Sequence, residues 1–192
     1  MAVHADDLFD SARRTDSLAA AIGECGLAVG TTRRRGRKRK AFSLSVQEFA
    51  AMAWARPGRT AIVFGNERTG LSGPELEACH MAIHIPTAPE FPSLNLAQAV
   101  MVLCWELARN RPGGPSSGVE PVGSAALASG AEEIVQGLER MGYFRLRGQD
   151  EHRALLRDLL ARAAPSPSEF AAFKAMFRKC EGLWKAASGG GE

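Results

Sequence analysis

No Cys-x-x-Cys pair occurs in these 192 residues. The four cysteines, Cys25, Cys79, Cys104 and Cys180, are dispersed, which argues against structural zinc and against a redox dithiol. They read as the reduced thiols of a cytoplasmic protein. Cys79-His80 with His84 is the one cysteine–histidine cluster, and without a second pair no metal is expected there. No glycine-rich loop ends in Gly-Lys-Ser/Thr, so a P-loop is excluded, and Gly-x-Gly-x-x-Gly is missing as well. Apolar runs stay far short of a membrane span. The opening "MAVHADDLFD" has no positive region ahead of an apolar stretch and does not read as a secretory signal.

What the chain does contain is ordinary in amount and uneven in placement. Hydrophobic residues make up 45% and charged residues 23%, as in one α/β domain with a small appendage. The net charge is +3, yet "RRRGRKRK" at 33–40 alone holds seven positive charges. The remainder is therefore acidic, and the basic character sits in one segment suited to a polyanion.

Short apolar runs alternate with helical patterns. Residues 6–22 read as helix, with Thr15 or Asp16 available to cap a second segment. Residues 26–32, "GLAVGTT", read as a buried strand, and the basic run follows as a loop. Ser45 and Glu48 form a capping box ahead of a helix over 45–55. Residues 60–64, "TAIVF", form a second strand whose exit loop is "GNERTGLS". Pro74 opens the next helix, and "MAIHIP" at 81–86 is a third strand. The helix starting in "SLNLAQAVMVLCWELAR" is apolar on nearly every side and is predicted to be buried. Such alternation implies a mainly parallel sheet covered on both faces, with ligands at the carboxyl ends of the strands. Three exit loops share that address: "GTT", "GNERTG" and "PTAPEFPSLN".

Residues 111–130 are rich in Gly, Pro and Ser and read as a flexible linker. Beyond them, 131–187 reads as a helical extension. Its last helix is capped by Ser166, Pro167 and Glu169, and carries Phe170, Phe173, Phe177, Cys180 and Trp184 on one face. These rings read as core or dimer packing. Residues 188–192 read as a disordered tail.

"IVFGNERTGLSGPEL" followed by "IHIPTAPEFPSLNLAQAV" resembles the second and third motifs of the SpoU/TrmH branch of the SPOUT RNA methyltransferases, and within it the group that methylates tRNA ribose 2′-hydroxyls. The likeness covers residues 5–107, so 1–110 is the methyltransferase domain. It implies a C-terminal trefoil knot in the α/β fold, S-adenosylmethionine as cofactor, RNA (tRNA foremost) as partner, and a homodimer. Carried over by motif, the cofactor-binding residues are Gly30, Thr31 and Thr32 in the first loop and Gly65, Asn66, Glu67 and Gly70 in the second. Ile85, Pro86, Ser93, Leu94, Asn95 and Leu96 complete the third side. Glu67, Ser93 and Asn95 are the catalytic residues implied. Arg33, Arg34, Arg35, Arg37, Lys38, Arg39 and Lys40 are the expected RNA contacts.

The residues themselves leave bland readings beside these. Ser93 and Asn95 suit helix capping, Asn66 suits a turn, and Glu67 suits a solvated loop. The family's first motif, an Asn-x-Gly type with an arginine, has no counterpart here. The expectation is that an N-terminally extended form turns over whereas the 192-residue chain does so little or not at all. The alternative reading is a non-catalytic RNA- or partner-binding remnant of the same fold.

Overall fold

The structure, a computed structural model, describes residues 6–33, 43–90, 94–112, 120–144 and 148–188. Four short strands form one parallel sheet: β1 (Leu27–Thr31), β2 (Ser43–Ser45), β3 (Thr60–Val63) and β4 (Met81–His84). Their order is β2-β4-β1-β3. Leu27 is level with Thr60 on one side of β1, and Val29 with Met81 on the other. Leu27, Ala28, Val29, Met81, Ala82 and Ile83 are all buried, as strands covered on both faces require.

Eight helices complete the described residues: α1 (Asp6–Asp10), α2 (Leu18–Ile22), α3 (Val46–Ala53), α4 (Gly73–Ala78), α5 (Leu96–Arg109), α6 (Ser124–Arg140), α7 (Gln149–Ala163) and α8 (Pro167–Ser188). None is long and apolar enough to cross a membrane. The capping boxes are formed at Ser45–Glu48 and at Ser166–Glu169. A further one, Ser72–Glu75, starts α4, and its hydrogen bonds hold the Glu75 carboxyl below the usual range.

Four readings of the sequence are corrected. The stretch 6–22 is two short helices, because Ser17 accepts from the Ala20 amide and starts a new one. β2 was hidden in the sequence, since "SLS" offers one apolar residue; it exists because β4 supplies the ladder beside it. α5 buries only Leu103 and Glu106, leaving Met101 68% and Trp105 64% exposed. The linker read through Gly130 already enters α6 at Ser124. Its small residues serve close packing there: a Cβ on Gly130 would lie 2.2 Å from the Phe170 ring.

The helices beyond the linker are not a separate unit. Leu127, Leu160, Ala161 and Phe170 join Leu27, Val29, Phe49 and Leu103 in one core. Arg56 donates from its guanidinium to the carbonyls of Ala161 and Arg162 at the end of α7. The Val122 amide donates to the Pro165 carbonyl at 2.9 Å. Along α8, Phe170 is buried and Phe173 packs on the core, with its ring centroid 5.3 Å from that of Phe177, while Cys180 and Trp184 are exposed.

Candidate active site

Because every strand points the same way, the exits of β1, β3 and β4 open on one edge of the sheet. A cavity of about 450 Å³ lies there. Each loop contributes a wall for a local reason.

The first wall is the end of β1. Thr31 donates its hydroxyl to the Val63 carbonyl at 3.1 Å, and the Thr32 amide donates to the Ile83 carbonyl at 2.9 Å. These bonds tie the loop to both neighbouring strands. Thr31, Thr32 and Arg33 line the cavity. Gly30 does not; it faces α4, where a Cβ would meet the Leu76 side chain at 2.7 Å. The sequence reading named Gly30 as a cofactor-binding residue; in the structure it packs against α4.

The second wall is the loop after β3. Its backbone folds onto itself: the Gly70 amide donates to the Asn66 carbonyl at 2.7 Å, and the Asn66 side-chain oxygen accepts from the Arg68 amide at 2.9 Å. A Cβ on Gly65 would lie 2.1 Å from the carbonyl carbon of Gly70 and from the Leu71 nitrogen. Gly65 thus lets the two ends of the loop touch, whereas Gly70 supplies a positive φ of 69° with open space around it. Asn66 does shape the turn, and it lines the cavity with Gly65, Glu67 and Gly70.

The third wall combines the exit of β4 with the start of α5. Ile85, Leu94, Asn95 and Leu96 line it, and Pro86 does not. Asn95 is the N-cap: its side-chain oxygen accepts from the Gln98 amide at 2.8 Å. Its backbone amide donates in turn to the Gln98 side-chain oxygen at 3.3 Å. Ser93 lies outside the described residues, as do Arg34, Arg35, Arg37, Lys38, Arg39 and Lys40.

Nine lining residues were not named by the sequence reading, Leu103 and Arg68 among them, and these two escaped for different reasons. Leu103, about two turns into α5, reaches the cavity from the core side, and nothing in its spacing marks it. Arg68 lines the cavity as well; its signal was its place beside Glu67 in the same turn. The cavity is thus apolar at Phe64, Ile85, Leu94 and Leu96, polar at four threonines, Asn66 and Asn95, and charged at Arg33, Glu67 and Arg68. Such a mix of apolar walls and few convergent polar groups suits a small organic ligand, and the volume falls within the usual few hundred to one thousand Å³.

The profile of the SpoU rRNA Methylase family matches residues 1–105. A tRNA (cytidine/uridine-2′-O-)-methyltransferase, TrmJ, of Pectobacterium atrosepticum is 34% identical over 185 residues, covering 88% of this chain and 73% of that protein. An uncharacterized tRNA/rRNA methyltransferase of Haemophilus influenzae is 39% identical over 103 residues, 54% of this chain and 42% of that protein. Among solved structures, TrmJ from Z. mobilis ZM4 superposes with a TM-score of 0.71 at 27% identity, covering 94% of this chain and 78% of the other.

Proposed function

Because this chain belongs to the SpoU rRNA Methylase family, we propose that it is an S-adenosylmethionine-dependent methyltransferase acting on ribose 2′-hydroxyls of tRNA. One observation carries the reading: the exits of three parallel strands and the capped start of α5 enclose a single cavity. Neither half of that arrangement would suffice, since glycine-rich turns and capped helices are common apart.

The residues fit the cofactor. Ile85, Leu94 and Leu96 offer apolar walls for a purine, and the looped backbone at 65–70 lies close enough for amide contacts. When bound, the cofactor supplies a methyl group already activated on sulfur. What remains for the protein is to orient the ribose hydroxyl, exclude water and accept its proton. Glu67 offers a carboxylate oxygen to that hydroxyl proton. Asn95, fixed by its bond to Gln98, donates its side-chain amide toward the reacting region, and Ser93 joins them. Gly30 supports the first wall from behind, against Leu76 of α4.

The same reading assigns RNA phosphates to the basic run at 33–40. It assigns a second copy of the chain to the exposed apolar face of α5, and to the fold the trefoil knot of its relatives. Consistent with the last, β4 lies between β1 and β2 although it follows both in the chain.

Titration calorimetry tests the cofactor: S-adenosylmethionine is expected to bind, and Asn95→Ala to weaken it about tenfold or more. Transfer of labelled methyl groups to bulk tRNA, followed by alkaline hydrolysis, tests the reaction; label is expected in alkali-resistant dinucleotides. A folded sample that binds neither S-adenosylmethionine nor its demethylated product at millimolar levels overturns the cofactor reading. Label on a base rather than a ribose overturns the reaction.

A further inference from the structure

Among the described residues three charged side chains line the cavity, and two are arginines from different loops: Arg33 beyond β1 and Arg68 at the tip of the turn after β3. Both are exposed. Elsewhere the arginines are largely engaged: Arg109, Arg140, Arg153 and Arg178 each face a carboxylate, and Arg56 is spent on helix-end carbonyls. Arg33 and Arg68 make no ion pair and no side-chain hydrogen bond among the described residues. With Glu67 as the third charge, the rim keeps a net positive charge with two guanidinium forks uncommitted.

We propose that Arg68, with Arg33 opposite it, receives a phosphodiester of the RNA substrate at the cavity mouth and so positions the ribose to be methylated. The inference rests on the function proposed above and adds a positioning residue to it. Three features favour Arg68 for the task. Its backbone is locked, because the Asn66 side chain holds the Arg68 amide and the Gly65–Gly70 contact closes the turn beneath it. A side chain on a rigid turn loses less freedom when it binds. A planar guanidinium also matches two phosphate oxygens at once. Finally, its place is the solvent-exposed rim, where a second, larger substrate arrives, while the loop backbones and apolar walls face the ligand held within.

The cofactor's own carboxylate is the competing anion, and the test separates the two. Arg68→Ala, Arg68→Lys and Arg33→Ala are compared with the full chain in three measurements. These are S-adenosylmethionine affinity by calorimetry, tRNA binding against salt by fluorescence anisotropy, and kcat/KM for tRNA methylation. Each phosphate contact contributes about one unit to the slope of log K against log salt. Arg68→Ala is expected to lower that slope by about one, and to reduce kcat/KM about 10- to 100-fold. Cofactor affinity should stay within about twofold. Arg68→Lys should restore the slope and only part of kcat/KM, because it returns the charge without the fork. A loss of cofactor affinity matching the loss of kcat/KM overturns the proposal in favour of the carboxylate. An unchanged salt slope also overturns it. The binding slope needs no turnover, so a failure of methylation in the unmodified chain would strike the proposed reaction and leave this result readable.

Discussion

Two glycines five residues apart, Gly65 and Gly70, do different physical work in one loop. Gly65 is a matter of space, since any Cβ there would collide with backbone at 2.1 Å. Gly70 is a matter of conformation, with its φ at 69° and nothing within reach. Gly65→Ala must push the loop open, at a cost of about 1–3 kcal/mol. It should lower cofactor affinity more than tenfold in calorimetry. Gly70→Ala should cost about 1–2 kcal/mol for the left-handed backbone and leave affinity nearly intact. Equal losses of affinity would show that the self-contact is not what shapes the wall. Arg56 is the other residue whose role is local and sharp. Burial pulls its pKa down, yet its guanidinium is placed on two carbonyls at the end of α7. Arg56→Met should destabilise the chain by about 1–3 kcal/mol in urea unfolding, because those carbonyls lose their partners.

At the scale of elements, α5 and α8 carry the testable claims. α5 starts at the cavity and presents Met101 and Trp105 to solvent. If α5 carries the proposed self-association, Met101→Glu with Trp105→Glu should leave only monomer in sedimentation while the urea midpoint holds. On α8, Glu181 is bound by Arg140 at 2.7 Å and by Lys185 at 2.8 Å. These partners pull its pKa from the ordinary 4.5 to about 2. A depressed carboxylate stabilises the fold fully above its unfolded pKa, and that contribution fades as pH falls from 4.5 toward 2. Glu181→Gln should therefore be less stable than the native chain at neutral pH, with the gap closing across that window in acid unfolding. The native chain losing no more stability than the variant there would refute the pairing. α5 also shows why sequence reading goes only so far. Its apolar character is plain in the residues, but whether a face meets the same chain or another depends on what packs beside it. Likewise β2 is a strand only because β4 runs alongside. By contrast the strands at 27–31, 60–63 and 81–84 were legible as short apolar runs, and the three exit loops as the glycine- and amide-rich stretches that end them. Gly30 was named from the sequence as a binding residue, and only the packing of α4 reveals that a neighbouring leucine constrains it.

For the whole molecule, the decisive fact is the main core that both ends of the chain share. A composition-based view divides the chain into a catalytic domain, a linker and an appendage. Composition cannot show that Leu127 and Phe170 fill the same interior as Leu27 and Phe49, because long-range packing leaves no mark in a local window. A chain ending at residue 110 would uncover that interior and free the half-buried Arg56 side chain. It is expected to be insoluble or to unfold without cooperativity in urea, whereas a truly modular domain would fold alone with a sharp transition.

The position of β4 reaches into how the protein comes into being. Its place is between two strands that precede it, so during synthesis β1 and β2 emerge with a gap the width of one strand between them. They cannot pair with each other and remain correct; β1 can pair with β3 meanwhile, but β2 must wait for residues 81–84. Such an order penalises haste, for early closure of the gap yields a sheet that has to be undone before the last strand can enter. Refolding from urea is expected to be slow and to show a phase that mixing at higher denaturant shortens, as the wrongly closed sheet is loosened. Refolding in one fast phase would mean that the gap is held open by something other than the missing strand.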